Sequence, residues 1–456
     1  MTDASLPTLK WGVVGCGLIS SWFVHDLLRE RPSATTKHII QAIGSSSLEK
    51  GTAFHQKYAP SAKPSIYASY HEVYNDPEVQ IVYIGTPHSV HLQNALDAIN
   101  AGKHVLCEKP MTINAKETET MIKAAREKGV FLMEAVWTRF FPIASALQKL
   151  LYEDQVIGKI SRMYCDFGLD MPMSSLESTA RTADPSLGAG CLLDMGIYCL
   201  TWTAIVTNQV SKQPAPPKIT SSMSFTNGVD EMTTAVLNYP TLHFQSICTT
   251  SMLHRTTKDF CRVEGEKGSI VVGGDAASKP GFLIIRPKGG EEKRIEFDSP
   301  GWGFYYEADA VAEDLRRGRI ENEIMPLNES LRMMKLMDEI RAQNGLKYKA
   351  DLLEDARKAT EVGVQGIVVS NHGGRQCDGG VGSLDTLPEI VDAVGDQLEI
   401  IFNSGVRCGM DIVKALALGA KMVLIGRPFV WGLSLASEEG VRHVLKSLLG
   451  EVSLQE

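Results

Sequence analysis

Apolar and polar positions along the chain follow three successive rhythms. From Leu9 a short apolar run, KWGVVG, leads through glycines into a helical stretch from Ser20 to Arg29 and on to a second apolar run, HIIQAIG. A helical pattern over Leu48 to Tyr58 follows, and then strand-like runs from Val79 to Ile84 and from His104 to Cys107 bracket another helix. Strand, turn, helix, strand is the signature of βαβ units. In the second rhythm the runs ISRMYCDF, TTAVLNY, TLHFQSICTT, DFCRVEGEKGSIVV and GFLIIRP succeed one another with turn residues between, which predicts a sheet. After Tyr348 strands and helices alternate again: LLEDARKATEVG, GIVVSNHGGRQ, SLDTLPEIVDAVG, LEIIFNSGVR, GMDIVKALALGA, MVLIGRP and EEGVRHVLKSLLGE. The strands here are continuously apolar, as in parallel strands covered on both faces, and the tail reads as barrel-like.

At 456 residues the chain has room for two or three domains. Its 44% hydrophobic and 22% charged content and mean hydropathy of -0.06 are those of an ordinary globular protein. A net charge of -8 and a pI near 5.8 leave no electrostatic footprint for nucleic acid or for an anionic membrane. The N-terminus MTDASLPTLK lacks an apolar signal core, and nowhere do eighteen apolar residues run uninterrupted. Nine scattered cysteines fit reduced thiols, hence a cytoplasmic location, and no spacing suggests a zinc or other metal site. Small-molecule chemistry is the expectation.

The first glycine turn carries the first candidate chemistry. In GCGLIS, Gly15 permits the tight turn and Gly17 lets the backbone approach a pyrophosphate at the helix N-terminus formed by Leu18 and Ile19, where free amides favour anions. Ser20 takes the third glycine's place. The second strand ends in Gly44, Ser45, Ser46 and Ser47, with Lys50 beyond. An acidic residue there would hold the ribose hydroxyls of NAD, whereas hydroxyls and a lysine tolerate a 2′-phosphate, so NADP is expected and NAD remains open. The loops Thr86-Pro87-His88, with His91 following, and Glu108-Lys109-Pro110 lie at carboxyl ends of strands, where open α/β sheets collect ligands.

GCGLIS, CEKP at Cys107 to Pro110 and LLDMGIYCL at Leu192 to Leu200, in this order and spacing, resemble the Gfo/Idh/MocA oxidoreductase family. FLMEAVWTRFFP, Phe131 to Pro142, is most similar to the branch of dimeric dihydrodiol dehydrogenases and NADP-dependent D-xylose 1-dehydrogenases. The resemblance covers residues 9–349. It implies an α/β architecture: a Rossmann domain over 1–130, then a substrate and dimerisation domain over 131–349 on a large, mostly antiparallel sheet. It also implies a homodimer through that sheet's open face, and a sugar or trans-dihydrodiol as substrate.

Oxidising a hydroxyl requires a base for its proton while hydride leaves for the nicotinamide. By resemblance, Tyr198 exchanges the proton and Lys109 lowers its pKa and orients the substrate, since a cation beside a phenol favours the phenolate. Asp194, four residues before Tyr198, would hydrogen-bond the substrate or Lys109. His88 and His91 are read as orienting or structural groups on the cofactor side, and Glu134, Trp137 and Arg139 as structural or pocket-shaping. Cys107 and Cys191 have no readable base and are read as buried thiols.

The tail, about residues 353–451 of a 350–456 segment, resembles FMN-dependent α-hydroxy acid oxidases and dehydrogenases, whose fold is a TIM barrel. In SNHGGRQ, His372 matches that family's general base and Arg375 its carboxylate clamp; Gly405, Arg407, Gly426 and Arg427 match its flavin phosphate site. A barrel closes with eight strands and this tail supplies three, while Asn403 and Ser404 replace the Asp-Gly usual before GVR. These residues are therefore read as vestigial, and flavin is not expected. A remnant, a gene-boundary fusion and a binding or assembly appendage stay open as origins. Two other functions are set beside the dehydrogenase: a flavin-dependent 2-hydroxy acid oxidase, and a non-catalytic dinucleotide-binding regulator, against which Lys109 and Tyr198 together speak.

Overall fold

A computed structural model describes residues 6–177, 180–208, 213–374 and 382–453. The chain divides into two compact units, one taking in residues up to 224 and 230–344, the other the remainder.

The first unit opens with a six-stranded parallel sheet: β1 (Thr8–Val14), β2 (Lys37–Gly44), β3 (Ser65–Tyr67), β4 (Ile81–Ile84), β5 (His104–Glu108) and β6 (Leu132–Ala135). Their order is β3-β2-β1-β4-β5-β6. The chain steps outward from β1 to β3 and then returns to lay β4 on the other side of β1, so the carboxyl ends of β1 and β4 flank the switch point at which such sheets bind ligands. All four residues of β4 and of β6 are buried, which is why these runs are apolar throughout rather than alternating. The sixth strand lies beyond residue 130, inside the stretch FLMEAV.

The second sheet holds β7 (Ile160–Gly168), β8 (Lys218–Thr226), β9 (Val229–Tyr239), β10 (Phe244–Ser251), β11 (Cys261–Gly265), β12 (Gly268–Ala276), β13 (Lys279–Pro287) and β14 (Lys293–Glu296). Its order is β14-β13-β12-β11-β7-β10-β9-β8. The central pair β7/β10 is parallel and its neighbours β11 and β9 are antiparallel to it. β10 alternates strictly, with Phe244, Ser246, Cys248 and Thr250 facing inward. Against that face lies the helix Ile197–Val206, all of whose residues are buried. The helical stretch Pro185–Val206 is long and apolar enough to cross a membrane by length and composition, but 94% of its most apolar window is buried inside the protein. The chain then returns to the first sheet: Leu327, opening the helix Leu327–Gln343, joins the core of Val82, Ile84 and Val105. Asp26 on the helix Leu18–Leu27 accepts backbone bonds from Gly303 (2.6 Å) and Phe304 (3.1 Å), capping the helix Phe304–Arg316.

The second unit contains β15 (Gly366–Val369), β16 (Glu399–Asn403) and β17 (Met422–Leu424) in a three-stranded parallel sheet of that order. Helices Lys349–Glu361, Ser383–Val394, Gly409–Ala417 and Arg427–Ser453 alternate with the strands, the last broken at Ala436 and Ser437. It has its own core, centred on Leu387, Ile390, Val394, Ile400, Phe402 and Ala415.

Candidate active site

The glycine turn between β1 and the helix Leu18–Leu27 is built for close backbone approach. Gly15 has φ +92°, and a Cβ there would stand 2.9 Å from the carbonyl oxygen of Gly85. Gly17 caps the helix with no side-chain bond, no acidic residue occupies the first turn, and a Cβ at Gly17 would meet only the Gly85 oxygen, at 3.8 Å. Leu18 is exposed and Ile19 half-buried beside it. An anion fits this turn: its amides face no competing carboxylate and the helix dipole favours negative charge. At the end of β2, Ser45 is buried, whereas Ser46 is exposed and accepts a 3.2 Å bond from the Lys50 ammonium. The hydroxyls and the cation expected to tolerate a 2′-phosphate thus lie together.

At the ends of β4 and β5, His91 is fully buried and bridges the carbonyls of Thr86 (2.9 Å) and Pro110 (3.0 Å). It ties the two loops to each other rather than facing a ligand. Thr86 is held by Asn94 at 3.1 Å, Pro87 is half-buried, and His88 lies buried with Nδ1 3.3 Å from the carbonyl of Gly188. Burial pushes the His88 imidazole well below its ordinary value, so it is neutral at pH 7. Glu108 turns inward: it accepts from the Tyr83 hydroxyl at 2.7 Å and from the Lys109 amide at 3.1 Å, and burial pushes it up to about 7.

Lys109, Asp194 and Tyr198 converge. The Lys109 ammonium donates to the Asp194 carbonyl at 2.7 Å and to Asp194 Oδ1 at 2.9 Å, and stands 5.0 Å from the centre of the Tyr198 ring. Asp194 lies in a π-helical turn, Leu192–Gly196, that runs directly into the helix bearing Tyr198. The widened turn is a feature that recurs at functional sites, and it presents both the carbonyl and the carboxylate of Asp194 to one lysine. Burial pushes the Asp194 carboxyl up, but the charges of Lys109 and Arg181 outweigh it and hold the carboxyl below its ordinary value. Arg181 takes the other oxygen, Oδ2, at 3.2 Å.

Burial first, and then the charge of Glu108, push the Tyr198 phenol well above its ordinary value. The ammonium is committed to Asp194. Trp137 acts on the phenol in the opposite, lowering direction: its indole N–H donates to the Tyr198 oxygen at 2.9 Å while its ring stacks on Phe304 with centroids 4.4 Å apart. Trp137, read from the sequence as structural or pocket-shaping, is thus bonded to the Tyr198 hydroxyl. Glu134 instead holds the Met111 amide at 2.8 Å, and Arg139 pairs with Glu329 at 2.8 Å in the interior. Cys191 donates to Asp230 at 3.1 Å, and burial raises both its thiol and that of Cys107, consistent with inert side chains. Arg181 and Tyr83 were not singled out. A hydroxyl in the otherwise apolar run QIVYIG is a signal for Tyr83; Arg181 in TARTADP offers none. Among the described residues no cluster of His, Cys, Asp or Glu forms a metal site.

In the second unit the loops after the three strands meet. The Gly373 amide donates to Ser404 Oγ at 3.0 Å, and the exposed Arg427 donates to the Gly373 carbonyl at 3.0 Å. His372 is exposed at φ +53°, Gly405 has φ +75°, and Gly426 and Arg407 are exposed, the Arg407 amide bonding Asp411 at 2.9 Å. Arg375 lies outside the described residues.

Comparison with known proteins agrees with this division. Residues 9–136 match the family "Oxidoreductase family, NAD-binding Rossmann fold", residues 146–271 the "GFO/IDH/MocA C-terminal domain", and residues 352–455 "FMN-dependent dehydrogenase". A D-xylose 1-dehydrogenase (NADP(+)) of Hypocrea jecorina is 33% identical over 373 residues, 76% of this chain and 95% of its own. A trans-1,2-dihydrobenzene-1,2-diol dehydrogenase of Bos taurus is 35% identical over 354 residues, covering 75% of this chain and 99% of its own. Among solved structures, an aldose-aldose oxidoreductase from Caulobacter crescentus superposes with a TM-score of 0.63 at 23% identity, covering 74% of this chain and 97% of its own.

Proposed function

We infer, from the premise that the chain belongs to the Gfo/Idh/MocA oxidoreductase family, that its first unit is an NADP-dependent dehydrogenase oxidising an aldopyranose such as D-xylose at C1, or a trans-dihydrodiol. The observation that carries this reading is the convergence of Lys109, Asp194 and Tyr198 where β5 and the helix Ile197–Val206 meet. The preference for NADP rests on Ser46, just past β2, with Lys50 in the helix that follows, and on the absence of an acidic residue from Gly44 to Ser47.

When bound, the oxidised nicotinamide supplies the hydride acceptor. Gly15, Gly17 and the amides of Leu18 and Ile19 would hold its pyrophosphate, and Ser46 with Lys50 its 2′-phosphate. Asp194 anchors two of the three Lys109 donors, which fixes the ammonium and leaves one N–H to take the substrate oxygen. Tyr198 receives the hydroxyl proton, and the Trp137 N–H stabilises the phenolate that precedes the transfer. His91 holds the loop on which Lys109 sits.

The test is reduction of NADP⁺ and of NAD⁺, followed at 340 nm, with D-xylose and with a trans-dihydrodiol. Turnover of either substrate with preference for NADP⁺ is expected. Binding of cofactor with turnover of neither would favour the regulator reading instead. In the second unit the described residues form a three-stranded sheet, where a flavin-binding barrel closes with eight strands.

A further inference from the structure

Two carboxyl groups near Tyr198 lie wholly inside the protein. Glu108 stands at the carboxyl end of β5, and Glu307 in the first turn of the helix Phe304–Arg316. Glu307 is 0% exposed, and neither of its oxygens has a hydrogen-bond partner. Glu108 is faced by the Tyr83 hydroxyl from β4, by its neighbour Lys109 and by Asp194 from the π-helical turn. The one cation in that set, the Lys109 ammonium, already carries two bonds to Asp194. Glu307 is faced by Glu108 and by the phenols of Tyr83 and Tyr198, and among the described residues it enters no ion pair.

A buried carboxyl with neither donor nor cation is costly and calls for an explanation. The least costly state is the neutral acid, kept until a positive charge arrives. Burial and then Glu108 push Glu307 well above its ordinary value, and Glu108 itself stands at about 7, so the pair is poised to change charge near neutrality.

We propose that Glu108 and Glu307 are the counter-charge of the oxidised cofactor: the pair sheds a proton when a cationic nicotinamide binds and keeps it when the ring is reduced and neutral. This rests on the nicotinamide reading above. The step is a simple ionisation, in which one carboxylic O–H breaks and its proton passes to solvent. Its consequence is a preference for the oxidised cofactor that strengthens as pH rises through neutrality, because proton release and cation binding are reciprocal.

Titration calorimetry of the full-length protein with NADP⁺ and with NADPH, in phosphate and in Tris at pH 7, counts the protons released. The 2′-phosphate is common to both ligands, so the difference isolates the ring. About one more proton should leave with NADP⁺ than with NADPH, and the ratio of the two affinities should rise between pH 6 and pH 8. Glu307→Gln should lower that ratio about tenfold, the equivalent of one pKa unit of coupling, and flatten its pH dependence. Equal proton counts for the two ligands in the unmodified protein would overturn the inference without recourse to any variant. Binding of neither ligand would overturn the nicotinamide reading and this inference with it.

Discussion

At the scale of single residues, the site works by assigning donors. Lys109 has three N–H bonds and spends two of them on Asp194, so its charge is fixed in place before any substrate arrives. Replacing it by Met should cost 10²–10⁴-fold in kcat, the range for a lost acid–base or orienting group, with the circular dichroism spectrum unchanged. Trp137 permits a finer test. Trp137→Phe keeps a ring against Phe304 but removes the N–H donated to Tyr198. A bond to an ionised group is worth about 1.5–3 kcal/mol, so kcat near pH 7 should fall about tenfold or more. Because that bond lowers the phenol, its loss should also move the rise of kcat with pH to more alkaline values. A fall in kcat with an unmoved profile would leave Trp137 a packing residue only. Gly15→Ala combines a left-handed backbone with a Cβ 2.9 Å from a carbonyl oxygen, and should weaken cofactor binding at least tenfold when measured by quenching of protein fluorescence.

At the scale of elements, the helix Leu327–Gln343 is fastened to the turn after β6 by Glu329, whose carboxylate meets Arg139 at 2.8 Å with both side chains buried. Burial pushes Glu329 up, but Arg332 and Arg139 outweigh it and bring it down to about 2. A depressed carboxylate stabilises the fold fully above its unfolded value near 4.3, and that stabilisation is lost as pH falls towards the folded value. Glu329→Gln should therefore destabilise the protein by about 3–5 kcal/mol at pH 7, leaving a buried guanidinium unpaired, and the gap to the unmodified protein should narrow below pH 4 in urea melts. This fastening was not legible in the sequence: LNESLRMMKLMDEIR reads as an amphipathic helix, and nothing in it indicates that it packs on the first sheet or meets an arginine 190 residues earlier. Legibility followed burial pattern. β4 and β10 were visible because one is apolar throughout and the other alternates. β8, KITSSMSFT, alternates half-buried Ile219, Ser221 and Met223 with exposed neighbours, but it has no buried residue, lies at the sheet's edge and is mostly serine and threonine, so its apolar signal was too weak to be read as a strand. The same holds in the site, where the glycine turn and the EKP loop are local motifs, whereas the Arg181–Asp194 pair and the Glu108–Glu307 pair arise only from tertiary approach.

At the scale of the whole molecule, two compact units imply two cooperative transitions. In the first unit the parallel sheet packs around residues such as Val82, Ile84 and Val105, and the second unit packs around Leu387, Ile400 and Phe402. The second core is the smaller, and its sheet leaves Met422 54% exposed on the outermost strand and Trp431 54% exposed on the helix that follows. Less apolar burial implies lower stability, so the second unit should melt first in a calorimetric scan. NADP⁺ offers the discriminating perturbation, because a ligand stabilises only the unit that binds it, by about 2.7 kcal/mol at a hundredfold excess over its Kd. The upper transition should rise with added NADP⁺ and the lower stay in place, while FMN should move neither. A lower transition raised by FMN would show that the loops of His372, Ser404 and Arg427 still hold a flavin phosphate. A single transition raised as a whole by NADP⁺ would show that the two cores unfold as one.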